Sequence, residues 1–121
     1  MRIAVDAMGG DFAPHAAVRG AFESAVQDGV SVLLVGDEQR LGRELARLGS
    51  IGQGRGGIAI VHAEERIEMD DPPTVVRKKR RSSLVVCADL VREGKAQAMV
   101  SAGNTGALMA IARFVLKTLP G

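Results

Sequence analysis

The sequence predicts an α/β fold, an open parallel sheet with helices on both faces. Short apolar segments alternate with amphipathic ones along the whole chain, as when each strand is followed by a crossover helix. The aromatic residues are only Phe12, Phe22 and Phe114. A core must therefore come from Val, Leu, Ile and Ala, the composition of parallel strands buried under small-residue helices. The 121 residues, 46% of them hydrophobic and 25% charged, suffice for one globular domain with a real core.

Arg2 to Asp6 (RIAVD) is short, apolar and bounded by a glycine turn, which suits a buried first strand. Pro14 opens a helix, since proline is well tolerated at a first helical position. In that helix Val18, Ala21, Phe22, Ala25 and Val26 repeat at the spacing of one buried face. Gly29 ends it, and Ser31 to Val35 (SVLLV) forms the second strand. Asp37 can cap a second helix, whose Leu41, Leu45 and Leu48 make a stripe closed by Gly49. Ser50 to Gly57 is a glycine-rich loop, and Ile58 to Val61 (IAIV) is the third strand.

An acidic loop, Glu64 to Asp71, leads to Pro72 and Pro73, where another helix starts; Leu84, Ala88 and Val91 share one of its faces before Gly94. Gln97 to Ser101 (QAMVS) is the fourth strand. A tight Gly103-Asn104-Thr105-Gly106 turn then leads into a last helix, Ala107 to Thr118, with Leu108, Ile111, Ala112 and Val115 inward. The chain stops at Gly121 directly after that helix, so the sheet is expected to be incomplete, one part of a longer protein.

Sixteen basic and fourteen acidic residues leave a net charge of +2. So small an excess implies no nucleic-acid partner, and the scarcity of aromatic faces argues against single-strand binding by base stacking. The single cysteine, Cys87, has no internal disulfide partner, which points to a reducing compartment; among apolar helix residues it reads as core rather than nucleophile. An apolar segment carrying a charge begins at residue 2, so no signal peptide is expected, and no apolar stretch approaches membrane-spanning length. The expected location is the cytoplasm, with at most peripheral attachment to the membrane.

A literal G-x-G-x-x-G at Gly52, Gly54 and Gly57 follows a helix and precedes a strand, the reverse of the dinucleotide-binding setting, so it is a loop. There is no Walker A lysine motif, and neither His15 nor His62 has a partner at metal-ligand spacing. No metal and no cofactor are expected.

Two loops fall at the C-terminal ends of predicted strands, where open α/β sheets place ligands. The first contains Asp6, Gly9, Gly10 and Asp11. Its paired glycines allow a ligand close to the backbone, and its carboxylates can orient water, a substrate hydroxyl or a basic partner. A plain turn with aspartates capping nearby amides is the alternative. The second runs from Ser101 through Gly103, Asn104, Thr105 and Gly106 into a helix. Backbone N–H groups, a helix dipole, a hydroxyl and an amide converge there, the makings of an anion site, although Asn or Thr could serve only as a helix cap. The run Arg77-Lys78-Lys79-Arg80-Arg81 is the strongest charge feature. On a helix it covers more than a turn, with Arg77 and Arg81 on one face and Ser82 and Ser83 following as anion donors. It is either a solvated surface or a contact for an acidic partner or a phosphate-bearing group.

Taken in order, IAVDAMGGDFAP, LLVGD, RKKRRSS and AMVSAGNTGALMA resemble the acyl-acyl-carrier-protein:phosphate acyltransferase family of phospholipid synthesis. The resemblance runs along essentially the whole chain and is most specific in its first and last blocks. It implies a fold similar to isocitrate and isopropylmalate dehydrogenases and to phosphotransacetylases. It also implies transfer of a fatty acyl group from acyl-carrier protein to inorganic phosphate, with the acyl phosphate passing to a membrane glycerol-phosphate acyltransferase. Family members resemble homodimers that associate peripherally with the membrane. The matched positions are Asp6, Gly9, Gly10 and Asp11; Arg77, Ser82 and Ser83; and Ser101 through Gly106. Family chains are much longer, so the catalytic residues are expected to be completed beyond Gly121, and this polypeptide alone to be inactive. The rival readings are a phosphotransacetylase-like enzyme using acyl-coenzyme A, a non-catalytic anion-binding domain, and a nucleic-acid binder built on the basic run.

Overall fold

A computed structural model describes residues 2–9, 14–47, 57–68 and 70–101, with the backbone alone at 24–28. Four strands, β1 (Arg2–Asp6), β2 (Ser31–Gly36), β3 (Ile58–His62) and β4 (Ala98–Val100), form an all-parallel sheet in the order β3-β2-β1-β4. The order builds outward from β1 in one direction through β2 and β3. It then returns to the other side of β1 for β4, so the direction of winding reverses between β1 and β4. That reversal is the place where open α/β sheets leave a crevice beyond their strand ends.

The alternation of side chains across the pleat decides what each face buries. Val5, Leu34 and Ile60 lie side by side in register, and with Val32 and Ile58 they pack under α1 (His15–Asp28) and α2 (Glu38–Arg47). Val18 and Ala21 of α1 and Leu41 and Leu45 of α2 close that layer, as the helical spacing predicts. Leu34 and Leu41 are fully buried, and each such burial stabilises by roughly 1.5–3 kcal/mol. On the opposite face Ala4, Leu33, Val35 and Val61 meet Cys87 and Leu90 of α4 (Ser83–Arg92). Helices therefore cover both faces, and the α/β architecture expected from the sequence is observed.

The helix ends follow local chemistry. Gly29 closes α1 with a left-handed backbone (φ 69°), a conformation that disfavours other residues. Asp37 starts α2: its Oδ1 accepts from the N–H groups of Gln39 and Arg40 at 2.9 and 3.2 Å. His62 Nδ1 accepts a further N–H of the same turn, that of Glu38, at 3.3 Å. At Gly36 any Cβ would lie 2.7 Å from Cγ of the buried Met8, so the glycine is what lets the β1 turn close over the end of β2.

The basic stretch departs from the sequence expectation. It is not one helix. A single turn, α3 (Val75–Lys78), ends where Lys79 N–H returns to Val75 O, and α4 begins only after Ser82, whose backbone is extended (φ −69°, ψ 152°). Arg77 and Arg81 therefore do not share a helical face. The cause is a competing pairing. Glu65, beyond β3, forms a parallel bridge with Ser82, accepting Ser83 N–H at 3.0 Å and donating to Arg81 O at 3.3 Å. Ser82 Oγ accepts Val85 N–H at 3.3 Å and starts α4 afresh. Val75, Val76 and Ile67 then pack on Leu84, Val85 and Ala88, so α4 is buried on its outer side as well as against the sheet.

The acidic loop is held by Lys79, whose Nζ donates to Arg66 O at 2.8 Å and to Asp71 Oδ2 at 3.0 Å. Asp71 Oδ2 also accepts Glu68 N–H at 2.8 Å. That backbone bond first, and the Lys79 ammonium second, hold the Asp71 carboxyl below its ordinary range. A carboxyl depressed in the folded state contributes stability above its unfolded value and loses it as pH falls through the folded one. Urea midpoints measured over a pH series should therefore fall on acidification below about pH 4, and less steeply in Asp71→Asn. An unchanged slope in that variant would exclude Asp71 from the effect.

Candidate functional site

Asp6 is the last residue of β1 and lies on the α4 face, two positions beyond Ala4. Its side chain is only 4% exposed, at the winding reversal between β1 and β4. Three donors converge on the carboxylate. Ser83 Oγ, at the first position of α4, donates to Oδ1 at 2.5 Å, and Met8 N–H reaches the same oxygen at 3.1 Å. Ser101 Oγ, just past β4, donates to Oδ2 at 2.9 Å. Charge-assisted bonds of this kind are the stronger class. The result is a buried polar node linking the ends of β1 and β4 to the start of α4.

Three of the residues singled out in the sequence thus come together: Asp6, Ser83 and Ser101. Gly9 is described and half-buried, following Met8 in the same turn. Gly10, Asp11, Gly103, Asn104, Thr105 and Gly106 lie outside the described residues. The structure places Ser82 and Ser83 away from the basic surface: they are 0% and 1% exposed, one capping α4 and the other bound to Asp6. The hydroxyls of Ser83 and Ser101 both donate to the Asp6 carboxylate.

The basic segment stands apart from this node. Arg77, Lys78 and Arg81 are exposed, and Arg81 Nη1 pairs with Glu64 Oε2 at 3.1 Å. Lys79 is half-buried and serves the acidic loop. Cys87 is buried beneath the sheet, as expected of core. Burial pushes its thiol well up, and the neighbouring Asp6 charge adds to the shift, so it is no thiolate nucleophile. Among the described residues no three His, Cys, Asp or Glu side chains group as metal ligands, and no helix is long and apolar enough to cross a membrane.

The structural role of Glu65 escaped sequence reasoning. Its backbone bridge, and its Oε1 accepting Arg81 N–H at 3.3 Å, steer α4 so that Ser83 meets Asp6. No local pattern announces a contact between Glu65 and Ser82. The cap at Ser82 was findable, because a serine ahead of an apolar helical run is a start signal.

An open parallel sheet with helices on both faces and a winding reversal between β1 and β4 defines a protein of the doubly wound α/β class. Comparison with known proteins narrows this. The model of the family described as "Fatty acid synthesis protein" matches residues 1–121, and the chain belongs to that family. Among curated relatives, a "Phosphate acyltransferase" of Pelotomaculum thermopropionicum is 50% identical over 122 residues, covering 100% of this chain and 34% of its own length. Proteins of the same name from Desulforamulus reducens and Gloeobacter violaceus are 48% and 46% identical, again over 100% of this chain and 35% of their own lengths. The chain thus spans about a third of the length of these relatives.

Proposed function

We propose that the chain carries the phosphate-binding side of a phosphate acyltransferase site. The protein to which it belongs then forms acyl phosphate from acyl-[acyl-carrier protein] and inorganic phosphate. The observation that carries this reading is the node at Asp6, which ties Ser101, the start of the S-A-G-N-T-G-A block, to the winding reversal of the sheet. A glycine-rich segment leaving a strand end into a predicted helix offers N–H groups to an anion. Family membership and the names of the relatives point to the same chemistry.

In this mechanism Gly103 to Gly106 hold phosphate with one oxygen directed at the thioester carbonyl. A carbon–oxygen bond forms, and the tetrahedral oxyanion needs positioned donors. The oxyanion collapses, the carbon–sulfur bond breaks, and the phosphopantetheine thiolate leaves and takes up a proton. No protein nucleophile is required, in keeping with the buried Cys87. Exposed Arg77, Lys78 and Arg81 provide positive charge to steer an acidic carrier protein. Homodimerisation and a peripheral stay at the membrane, where a glycerol-phosphate acyltransferase consumes the product, complete the proposal.

The test is product formation by the full product of the gene, with acyl phosphate trapped as a hydroxamate. Hydroxamate should form from acyl-carrier protein and phosphate. Reversing Arg77 and Lys78 to Glu should slow the reaction, chiefly at low salt. Turnover with acyl-coenzyme A alone would make the protein phosphotransacetylase-like, and no turnover with either donor would refute the proposal.

A further inference from the structure

We propose that Asp6 is a positioning residue for the anion site: it fixes Ser101, from which the glycine-rich segment departs, and does not itself touch the anion. The inference rests on the preceding reading for the anion's place; the node around Asp6 is observed independently.

Among the described residues the β1–β4 ladder pairs Ile3 with Ala98, Ala4 with Met99 and Val5 with Val100, and ends there. The next step along the two strands is Asp6 opposite Ser101, and there the link is a side-chain bond, Ser101 Oγ to Asp6 Oδ2 at 2.9 Å. The carboxylate thus extends the join of β1 and β4 where the backbone pairing stops. Its other oxygen is anchored by Ser83 Oγ and Met8 N–H, so Ser101 is tied to the start of α4 through a buried group.

The proton count sets the roles. A serine hydroxyl has one proton, and that of Ser101 is on Asp6, leaving lone pairs toward anything else. A phosphate oxygen needs donors, and a carboxylate beside it repels it. Asp6 therefore does not serve as an anion ligand. Its effect on phosphate passes through the geometry of Ser101 and the segment that follows.

The sign of one substitution separates the two possibilities. With inorganic phosphate titrated against the chain and backbone amides followed by NMR, Asp6→Asn should bind phosphate roughly three- to tenfold more weakly, the worth of one hydrogen bond. If Asp6 faced the anion directly, removing its charge would tighten binding, and that result would overturn the inference. Ser101→Ala should weaken binding by a similar factor, and adding Asp6→Asn to it should cause no further loss. Two independent, multiplying losses would contradict a route through Ser101. Ser101→Thr, which keeps the hydroxyl, should restore binding; this comparison decides the matter even if Asp6→Asn does not fold. Leu90→Ala loosens the packing of α4 without removing a partner of the node and should leave phosphate affinity within about twofold. An equal loss there would reduce the Asp6 effect to general destabilisation. A parent chain that ignores phosphate would sink the anion-site reading itself, whereas a responsive parent with indifferent variants would sink only the role of Asp6.

Discussion

Replacing Ser83 by Val should destabilise the fold by roughly 3 kcal/mol or more, measured by urea unfolding, although the side chain keeps its shape within one methyl group. Ser83 is 1% exposed and its Oγ lies 2.5 Å from Asp6 Oδ1, so the variant sets a methyl group against a buried carboxylate. Breaking one partner of a buried charged pair costs more than the bond was worth, because the remaining group stays desolvated. The neighbouring Ser82→Ala should cost only about 1 kcal/mol, the worth of a helix cap. Equal losses at the two serines would show that Asp6 does not depend on Ser83. Exchanging Asp6 for Asn in the Ser83→Val background should recover part of the loss, since the uncompensated charge is then gone.

The strands were legible because β1, β2 and β3 are each a short run rich in Val, Ile, Leu and Ala that ends at Asp, Gly or His. β1 matches its sequence reading, and β2 and β3 run one residue further. The Asp37 cap and the Leu41 and Leu45 stripe were equally local signals. The helix that splits into α3 and α4 was not legible. Within Arg77 to Ser83 only the Ser82 start signal hints at a new helix, and the break itself comes from Glu65, distant in sequence and drawn in by β3. For the same reason α4 read as a single buried stripe, when Ile67, Val75 and Val76 cover a second side of it.

At the site, residue types showed that Asp6, Ser83 and Ser101 could carry chemistry, but not that they belong together. Their separations of 77 and 95 positions are closed only by the strand order and by the turn of the chain at Glu65. Chemical type also left the partners of the serines open. A serine beside arginines reads as an anion donor, whereas the structure spends the Ser83 proton on Asp6 and uses Ser82 as a cap. The glycine-rich block after Ser101 lies outside the described residues, and its part as a set of N–H donors is the proposal read from the sequence.

Gly103→Val should abolish phosphate binding rather than weaken it. A β-branched side chain in that segment blocks close approach of an anion to the backbone and resists the turn conformations open to glycine. The effect should exceed any loss at Asp6 or Ser101, because it blocks access to the donors themselves. The direct test is titration of the chain with inorganic phosphate while its backbone amides are followed by NMR, in parallel with Gly103→Val. The amides of Gly103, Asn104, Thr105 and Gly106 should move first, with Ser101 and Gly9 following, and the variant should stay silent. Shifts concentrated on Arg77 to Arg81, with the Gly103 segment unmoved and Gly103→Val indistinguishable from the parent, would place the anion on the basic surface and contradict a phosphate site at the strand ends.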